Sequence, residues 1–132
     1  MYEELKKLLE KSHSPYSQFK VAAIVIDNNG KKYAGVNVET STFTPTICAE
    51  RNAIFSAITK GLKWGDVKEV HVLGSNNRMD KEMFATPCGV CRQVIFEASN
   101  AKAKVFIYNN NDEVKIEKIN DLLLDGFSGE EI

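Results

Sequence analysis

The sequence predicts an α/β fold of three αβα layers, in which a mixed five-stranded sheet carries helices on both faces. Extended apolar segments alternate with helical segments in the order αββαβαβ(β)α, and the strands separated by helices predict parallel pairing in the later part of the sheet. The 132 residues suit a single domain, 1–132, and the chain has 43% hydrophobic and 27% charged residues. This composition is typical of a globular protein with one core.

The first predicted element is a short amphipathic helix in YEELKKLLEK, residues 2–11, where three leucines recur at helical spacing. It is interrupted by SHSPYS, which contains a proline and hydroxyl residues. A β-hairpin follows, because apolar FKVAAIVID (19–27) and KKYAGVNVE (31–39) flank NNG, a strong turn signal.

The second predicted helix spans CAERNAIFSAITKG, residues 48–61, and Gly61 is its expected C-terminal cap. One side of it is apolar, comprising Ala49, Ala53, Ile54, Ala57 and Ile58. The remaining segments alternate between strand and helix: a strand at 67–75, a loop at 76–87, a helix at 88–99 that starts after Pro87, a strand at 103–109, a turn at 110–112, a short strand at 113–119, and a short terminal helix or turn at 119–127.

Charge and hydropathy exclude two classes of partner. Seventeen Lys and Arg nearly balance eighteen Asp and Glu, and no basic cluster is dense enough to follow a nucleic-acid backbone. The N-terminus is charged throughout, and no apolar run reaches the roughly 18–20 residues that a membrane span requires. We therefore expect a cytoplasmic protein with no nucleic-acid or membrane partner.

Three cysteines in a reducing compartment favour metal binding or redox chemistry over disulfides. Cys48 begins one predicted helix, and Cys88 and Cys91 lie in the first turn of another. Helix N-termini favour anionic ligands such as thiolates, so the three sulfurs can converge. Three protein ligands on Zn²⁺ leave the fourth tetrahedral position open for water, which is the arrangement of a catalytic zinc.

Two neighbours of Cys48 suit such a centre. Glu50 is placed to hold the water and exchange its proton, and the guanidinium of Arg51 can offset the surplus negative charge of three thiolates. Each feature alone has a simpler interpretation: C-x-x-C also occurs in structural zinc sites and redox dithiols, a single helical cysteine is usually a core residue, and Glu50 and Arg51 can be a solvated helix end. All of them together form a specific pattern.

This pattern is similar to the motifs of the zinc nucleoside deaminases. TICAERNAIFSA contains C-x-E and TPCGVCRQV contains P-C-x-x-C, and the chain resembles cytidine deaminases of the small homotetrameric, three-cysteine type. SPYSQFKVAA, GVNVE and a terminal LLLDGF occur in the family's order. The resemblance implies the cytidine deaminase-like fold, one Zn²⁺ per subunit bound by the three cysteines, and hydrolytic deamination of cytidine and deoxycytidine in pyrimidine salvage by a homotetramer.

The resemblance also implies residue roles. Glu50 would take a proton from the attacking water, deliver it to N3 of the pyrimidine, and pass a proton to the departing ammonia. Asn37 and Glu39 would bind the ribose hydroxyls, Phe19 would pack near the base, and the backbones of Ala49 and Thr86 would meet its polar edge. Two further aromatic residues are candidates for contacts across a subunit boundary, namely Phe43 and Phe127.

The residues support part of this assignment independently. Asn37 and Glu39 are two apart at the end of a predicted strand, so they share a face and offer a donor and an acceptor to a diol. A polar strand end is the alternative, and Phe19 and Phe127 are core residues by default. Thr40, Ser41 and Phe43 stand where the family commonly has N-A with a nearby Tyr, and Leu124 stands where a proline is usual, which leaves substrate breadth and interface detail open.

Three other functions stay open. Deamination of a different cytosine nucleoside, such as a blasticidin-like antibiotic, is disfavoured by Glu39, which a ligand without a ribose diol would not use. A nucleotide or polynucleotide deaminase would more often carry a histidine in the first motif and basic phosphate-binding residues. A non-catalytic, zinc-stabilised binding module would be insensitive to the loss of the Glu50 carboxylate.

Overall fold

The computed structural model describes residues 1–132 and contains four helices and five strands in the predicted order. Their bounds are α1 Tyr2–Leu9, β1 Lys20–Asp27, β2 Lys32–Val36, α2 Ala49–Ile58, β3 Val67–Ser75, α3 Gly89–Ala98, β4 Lys104–Tyr108, β5 Val114–Lys118 and α4 Ile119–Leu122. None of the helices has the length and apolar character needed to cross a bilayer.

The five strands form one mixed sheet in the order β2-β1-β3-β4-β5. Only β3 and β4 are parallel, with α3 as their crossover, and the other pairs are antiparallel. The register pairs Val36 with Ala22 and Lys20 with Ser75. The first residues of β1 and the last residues of β2 and β3 therefore lie side by side at one end of the strands, where the loops leading to α2 and α3 also begin.

Helices cover both faces, which confirms the predicted three-layer α/β fold. The larger core packs α2 and α3 on one face, and its fully buried members include Ile54, Val72 and Ile95. The smaller core packs α1 on the other face through Leu5 and Leu9. The leucine spacing of the first helix predicted this packing, because residues three and four apart lie on one helix face.

Helix α2 lies unusually close to β2 because residue 35 is a glycine. A β-carbon on Gly35 would be 2.7 Å from the Ala49 carbonyl oxygen and 2.8 Å from the Ala53 Cα. At the other end of α2, Gly61 has a φ of +107°. The Leu62 N–H donates to the Ala57 carbonyl and the Gly61 N–H to the Ile58 carbonyl, the Schellman pattern that a glycine cap predicts.

Two details of the sequence interpretation are wrong. Ile58 was expected on the apolar side of α2 but is 42% exposed, because at 100° per residue it is rotated away from the buried stripe. The second hairpin strand ends at Val36 and does not continue to Glu39. Beyond it, Val38 makes isolated bridges to His13 and Ile47, so the chain leaves the sheet while staying extended.

Candidate active site and metal centre

The three cysteine sulfurs converge at the N-termini of α2 and α3. Cys48 is the N-cap of α2 and Cys88 the N-cap of α3, both with extended backbones, and Cys91 lies in the first turn of α3. All three Sγ atoms lie within 4.8 Å of one another, and those of Cys48 and Cys88 are 3.8 Å apart. The two helices thus bring together residues 40 positions apart in the sequence.

This sulfur spacing fits zinc. Zn–S bonds of 2.3 Å at tetrahedral angles place two sulfurs about 3.8 Å apart, as found for Cys48 and Cys88. The cluster contains three ligating side chains and no fourth. A tetrahedral ion bound here would keep one position open for water, which distinguishes a catalytic site from a closed structural one.

Hydrogen bonds stabilise the Cys48 sulfur as a thiolate, while hydrogen bonding to Cys48 and burial raise the pKa of the Cys91 thiol. Arg51 Nη2 donates a hydrogen bond to Cys48 Sγ at 3.2 Å, and the Cys91 N–H donates to Cys88 Sγ at 3.5 Å. Hydrogen bonding from the Cys91 thiol and the Arg51 guanidinium lowers the pKa of Cys48 to about 5, although burial opposes the shift. The thiolate is the form that binds metals.

Glu50 is the one charged residue on the buried face of α2. Only 4% of its surface is exposed, and its neighbours on that face, Ala53 and Ile54, are fully buried. Burial raises the pKa of Glu50 to about 7. Glu50 lines the same cavity as Cys48 and Cys88, so a titratable residue and two of the cysteines border a common space.

That cavity has a volume of about 280 Å³ and lies at the end of the sheet where β1 begins and where β2 and β3 end. It brings together seven residues that the sequence singled out: Phe19, Asn37, Glu39, Cys48, Glu50, Thr86 and Cys88. Other predicted site residues lie outside the lining. Ala49 and Cys91 are fully buried and do not line the cavity, and Arg51 donates a hydrogen bond to the sulfur of the lining residue Cys48.

Asn37 is 7% exposed, and both ends of its carboxamide are engaged. Its Nδ2 donates to the Phe19 carbonyl at 2.7 Å. Its Oδ1 accepts from the Val21 N–H at 2.8 Å and from the Ser12 hydroxyl at 2.5 Å. The side chain therefore ties the end of β2 to the start of β1, and one amide hydrogen is left for a ligand.

Glu39 is held by the loop that precedes β1. Its Oε1 accepts from the N–H groups of Tyr16 at 3.1 Å and Ser17 at 3.0 Å, and its Oε2 accepts from the Ser17 hydroxyl. Burial raises the pKa of this carboxyl group, but the hydrogen bonds from Ser17 and Tyr16 outweigh it, so the net pKa is lowered. Glu39 is thus an ionised, oriented acceptor at the cavity wall.

Six lining residues were not predicted: Ser17, Val21, Thr46, Ile47, Val72 and Ala85. A signal existed for Val21, which lies two positions after Phe19 in the predicted strand, because alternate residues of a strand share a side. The others had none. Val72 lies inside a buried strand, and Ala85 reaches the cavity from a long loop.

The two aromatic residues expected at a subunit boundary do not line the cavity of their own chain. Phe43 is 65% exposed and has a φ of +63°, and its ring packs edge-on against Tyr16 with centroids 5.6 Å apart. Phe127 is 47% exposed, and its carbonyl accepts from Gln93 Nε2 at 2.6 Å. Both rings are available at the surface of the isolated chain.

Comparison with known proteins agrees with this geometry. Residues 1–108 match the family model described as the cytidine and deoxycytidylate deaminase zinc-binding region. The chain is 38% identical over 124 residues to the cytidine deaminase of Mycoplasma genitalium, with 94% of this chain and 90% of that protein covered. It is 36% identical to the cytidine deaminase of Sporosarcina psychrophila, with 98% and 90% covered.

A solved structure shows the same fold. The crystal structure of cytidine deaminase from Burkholderia pseudomallei superposes with a TM-score of 0.85 at 37% identity, covering 95% of this chain and 94% of that one. The family model spans both cysteine motifs, and the cysteines form the three-sulfur cluster of a zinc site. The chain therefore belongs to the cytidine deaminase family, whose members are zinc-binding hydrolases.

Proposed function

We propose that this protein catalyses the zinc-dependent hydrolytic deamination of cytidine and deoxycytidine to uridine and deoxyuridine, with release of ammonia. The observation that carries the proposal is that buried Glu50 lines the same cavity as Cys48 and Cys88, two members of the three-sulfur cluster. A structural zinc site is closed by four protein ligands, whereas activation of water needs an open coordination position and a nearby group that accepts the proton.

Glu50 is the proposed proton carrier. When bound by the three cysteines, zinc lowers the pKa of a coordinated water and supplies a nucleophile at neutral pH. Glu50 takes the first proton of the attacking water and delivers it to N3 of the pyrimidine as the water oxygen bonds to C4. The carboxyl group then transfers the second proton to the 4-amino group, which leaves as ammonia when the C4–N bond breaks.

Arg51 has a supporting role. Three thiolates around Zn²⁺ carry more negative charge than the ion offsets, and this surplus weakens the ion's effect on its water. The Arg51 guanidinium donates to the Cys48 sulfur at 3.2 Å, so it withdraws charge from one ligand. We assign it to tuning the metal, with no contact to the substrate.

The cavity wall away from the cysteines is proposed to bind the sugar and the base. Glu39 offers an ionised acceptor, and Asn37 retains one amide hydrogen, so together they can recognise a ribose hydroxyl pair. Phe19 lines the cavity beside them as an apolar wall for the base. Thr86 lines it next to Cys88, where its carbonyl can accept from the 4-amino group, and the N–H of Ala49 is free of intrahelical bonds at the first turn of α2.

The assembly, location and pathway are part of the same proposal. We propose that the chain acts as one domain, 1–132, in a homotetramer, with Phe43 and Phe127 completing the site of a neighbouring subunit. Both rings are exposed in the single chain, and large exposed aromatics are enriched at interfaces. The proposed cellular location is the cytoplasm, and the proposed role is pyrimidine salvage.

The direct test follows the ultraviolet absorbance of cytidine on mixing with purified protein, with zinc quantified in the same preparation. Turnover with about one zinc per chain is expected, because the chain has one three-sulfur cluster. Absence of turnover in a preparation that holds zinc would indicate a non-catalytic zinc module. Turnover of a cytosine nucleoside that lacks both ring hydroxyls of the sugar, in preference to cytidine and deoxycytidine, would indicate a different substrate.

A further inference from the structure

Two consecutive residues hold the Glu39 carboxylate, and one of them does so with its side chain. The N–H groups of Tyr16 and Ser17 occupy Oε1 at 3.1 Å and 3.0 Å, and the Ser17 hydroxyl donates to Oε2. A carboxylate offers about four lone-pair positions. Three are therefore filled by the protein, and the fourth, on Oε2, is left for one hydroxyl of a ligand.

The Ser17 hydroxyl also links this carboxylate to the rest of the cavity wall. Its oxygen accepts from the Phe19 N–H at 3.0 Å while its proton goes to Glu39. The Phe19 carbonyl in turn accepts from Asn37 Nδ2 at 2.7 Å. One continuous hydrogen-bond chain thus runs from Glu39 through Ser17 and Phe19 to Asn37.

The backbone between these contacts is in an uncommon conformation. Gln18, between Ser17 and Phe19, has a φ of +58°, a left-handed conformation that few non-glycine residues adopt. Its N–H donates to the Ser14 carbonyl at 2.9 Å, which closes the turn. This turn lets Ser17 contact Glu39 and accept from Phe19 at the same time.

We infer that Ser17 is a positioning residue: its hydroxyl orients the Glu39 carboxylate so that the free position on Oε2 meets a sugar hydroxyl of the substrate. This inference rests on the proposed function. Ser17 acts through Glu39 and takes no part in the proton transfers at the metal. Its loss frees Oε2 to rotate and to bind water, and the sugar hydroxyl then competes with that water.

The effect is confined to binding that depends on the sugar hydroxyls. The substitution Ser17→Ala is expected to raise the KM for cytidine about tenfold, the usual effect of losing one hydrogen bond to a charged group, and to leave kcat within about twofold. For 2′,3′-dideoxycytidine, which lacks both ring hydroxyls, Ser17→Ala and the unaltered protein are expected to give the same kcat/KM. Ser17→Thr keeps the hydroxyl at an exposed position and is expected to restore most of the affinity for cytidine.

A matched control is Ser56→Ala, because the Ser56 hydroxyl contacts only the Ala53 carbonyl of its own helix at 3.3 Å. Kinetics of all variants would be compared on both substrates, with thermal unfolding measured in parallel. A second test combines Ser17→Ala with Glu39→Gln, where the serine effect on cytidine is expected to disappear because its partner's charge is gone.

The outcomes separate two failures. If the unaltered protein does not turn over cytidine, the proposed function is wrong and the inference falls with it. Suppose that the unaltered protein does turn over cytidine, but that Ser17→Ala has no effect or lowers kcat/KM equally for cytidine and 2′,3′-dideoxycytidine. The proposed function then stands, and the role of Ser17 is overturned. An equal loss of kcat/KM on both substrates, together with a lowered unfolding temperature, would identify Ser17 as a structural residue of the loop.

Discussion

The two ends of the cavity are built in contrasting ways. The metal end, Cys48, Glu50 and Cys88, depends on two helix N-termini, which bring the sulfurs of Cys48, Cys88 and Cys91 within 4.8 Å of one another. The end that we propose binds the sugar, Asn37 and Glu39 (the sugar end), follows the end of a strand, and its groups are almost fully hydrogen-bonded by the protein. The metal end is therefore suited to bind a dication, whereas the sugar end is ordered by the protein's own hydrogen bonds.

This difference has energetic consequences. Three sulfurs within 4.8 Å of one another repel as thiolates, so the folded state gains stability when a dication binds them. The sugar end gains its order from folding itself, because the hydrogen bonds of Asn37 join β1 to β2. Changes at the metal end are expected to affect the chemical step and the stability that depends on the metal. Changes at the sugar end are expected to affect the stability of the fold and the affinity for substrate to different extents.

The largest expected effect is that of Glu50→Gln on turnover. Removing a general acid–base group typically costs 10²–10⁴ in rate, so we expect kcat for cytidine to fall by about 10³–10⁴ while zinc content is retained. Stopped-flow or endpoint absorbance measures the rate, and metal analysis the zinc. Exposed Glu3→Gln is the control, and a Glu50→Gln protein with normal turnover would remove the carboxyl group from the mechanism.

Removal of zinc is expected to have the next largest effect. A ligand held at 1,000 times its dissociation constant stabilises the folded state by about 4 kcal/mol. Chelation should therefore abolish turnover and lower the free energy of unfolding by about that amount, with recovery on adding Zn²⁺ but not Mg²⁺, which prefers oxygen ligands. An equally stable and active protein after complete chelation would show that the cysteines hold no essential ion.

Asn37→Ala and Glu39→Gln should affect different properties. Loss of the Asn37 carboxamide leaves the Val21 N–H and Phe19 carbonyl without partners and is expected to cost about 2 kcal/mol of stability as well as affinity. Glu39→Gln should raise the KM for cytidine with little change in the unfolding midpoint. Urea unfolding and steady-state kinetics test both, and equal stability losses would contradict the distinction.

The smallest expected effect concerns pH. Hydrogen bonds from Ser17 and Tyr16, aided by the charge of His13, hold the pKa of Glu39 below its ordinary value against the effect of burial. Its contribution to stability is thus fully present above an unfolded pKa of about 4.3 and is lost as the pH falls through the lower folded pKa.

The stability of the unaltered protein should consequently decrease more steeply between about pH 5 and pH 3 than that of Glu39→Gln. Urea midpoints across this range measure the difference, and zinc release affects both proteins alike. Parallel pH profiles for the two proteins would show that Glu39 is not selectively stabilised as an anion.

Local patterns predicted most of the fold. Helix periodicity, the NNG turn and the glycine cap at Gly61 depend on contacts between near neighbours in sequence, and each is found in the structure. One error occurs where a distant partner decides, because Val38 leaves the sheet to bridge His13 and Ile47. The other is local, because the helical rotation of 100° per residue turns Ile58 away from the buried side on which Ala57 lies.

The sequence by itself determined the metal chemistry of this protein. Cys48 and Glu50 share one helix start, and Cys88 and Cys91 share another, so their relative positions follow from helix geometry and from ligand types that zinc prefers. Only the tertiary structure decided that the two helix starts meet, with Cys48 and Cys88 in contact across 40 positions, and how the sugar end is held. Ser17 meets Glu39 across 22 positions, and Phe19 meets Asn37 across 18. Contacts between such distant segments depend on strand register and loop conformation, which no local periodicity encodes.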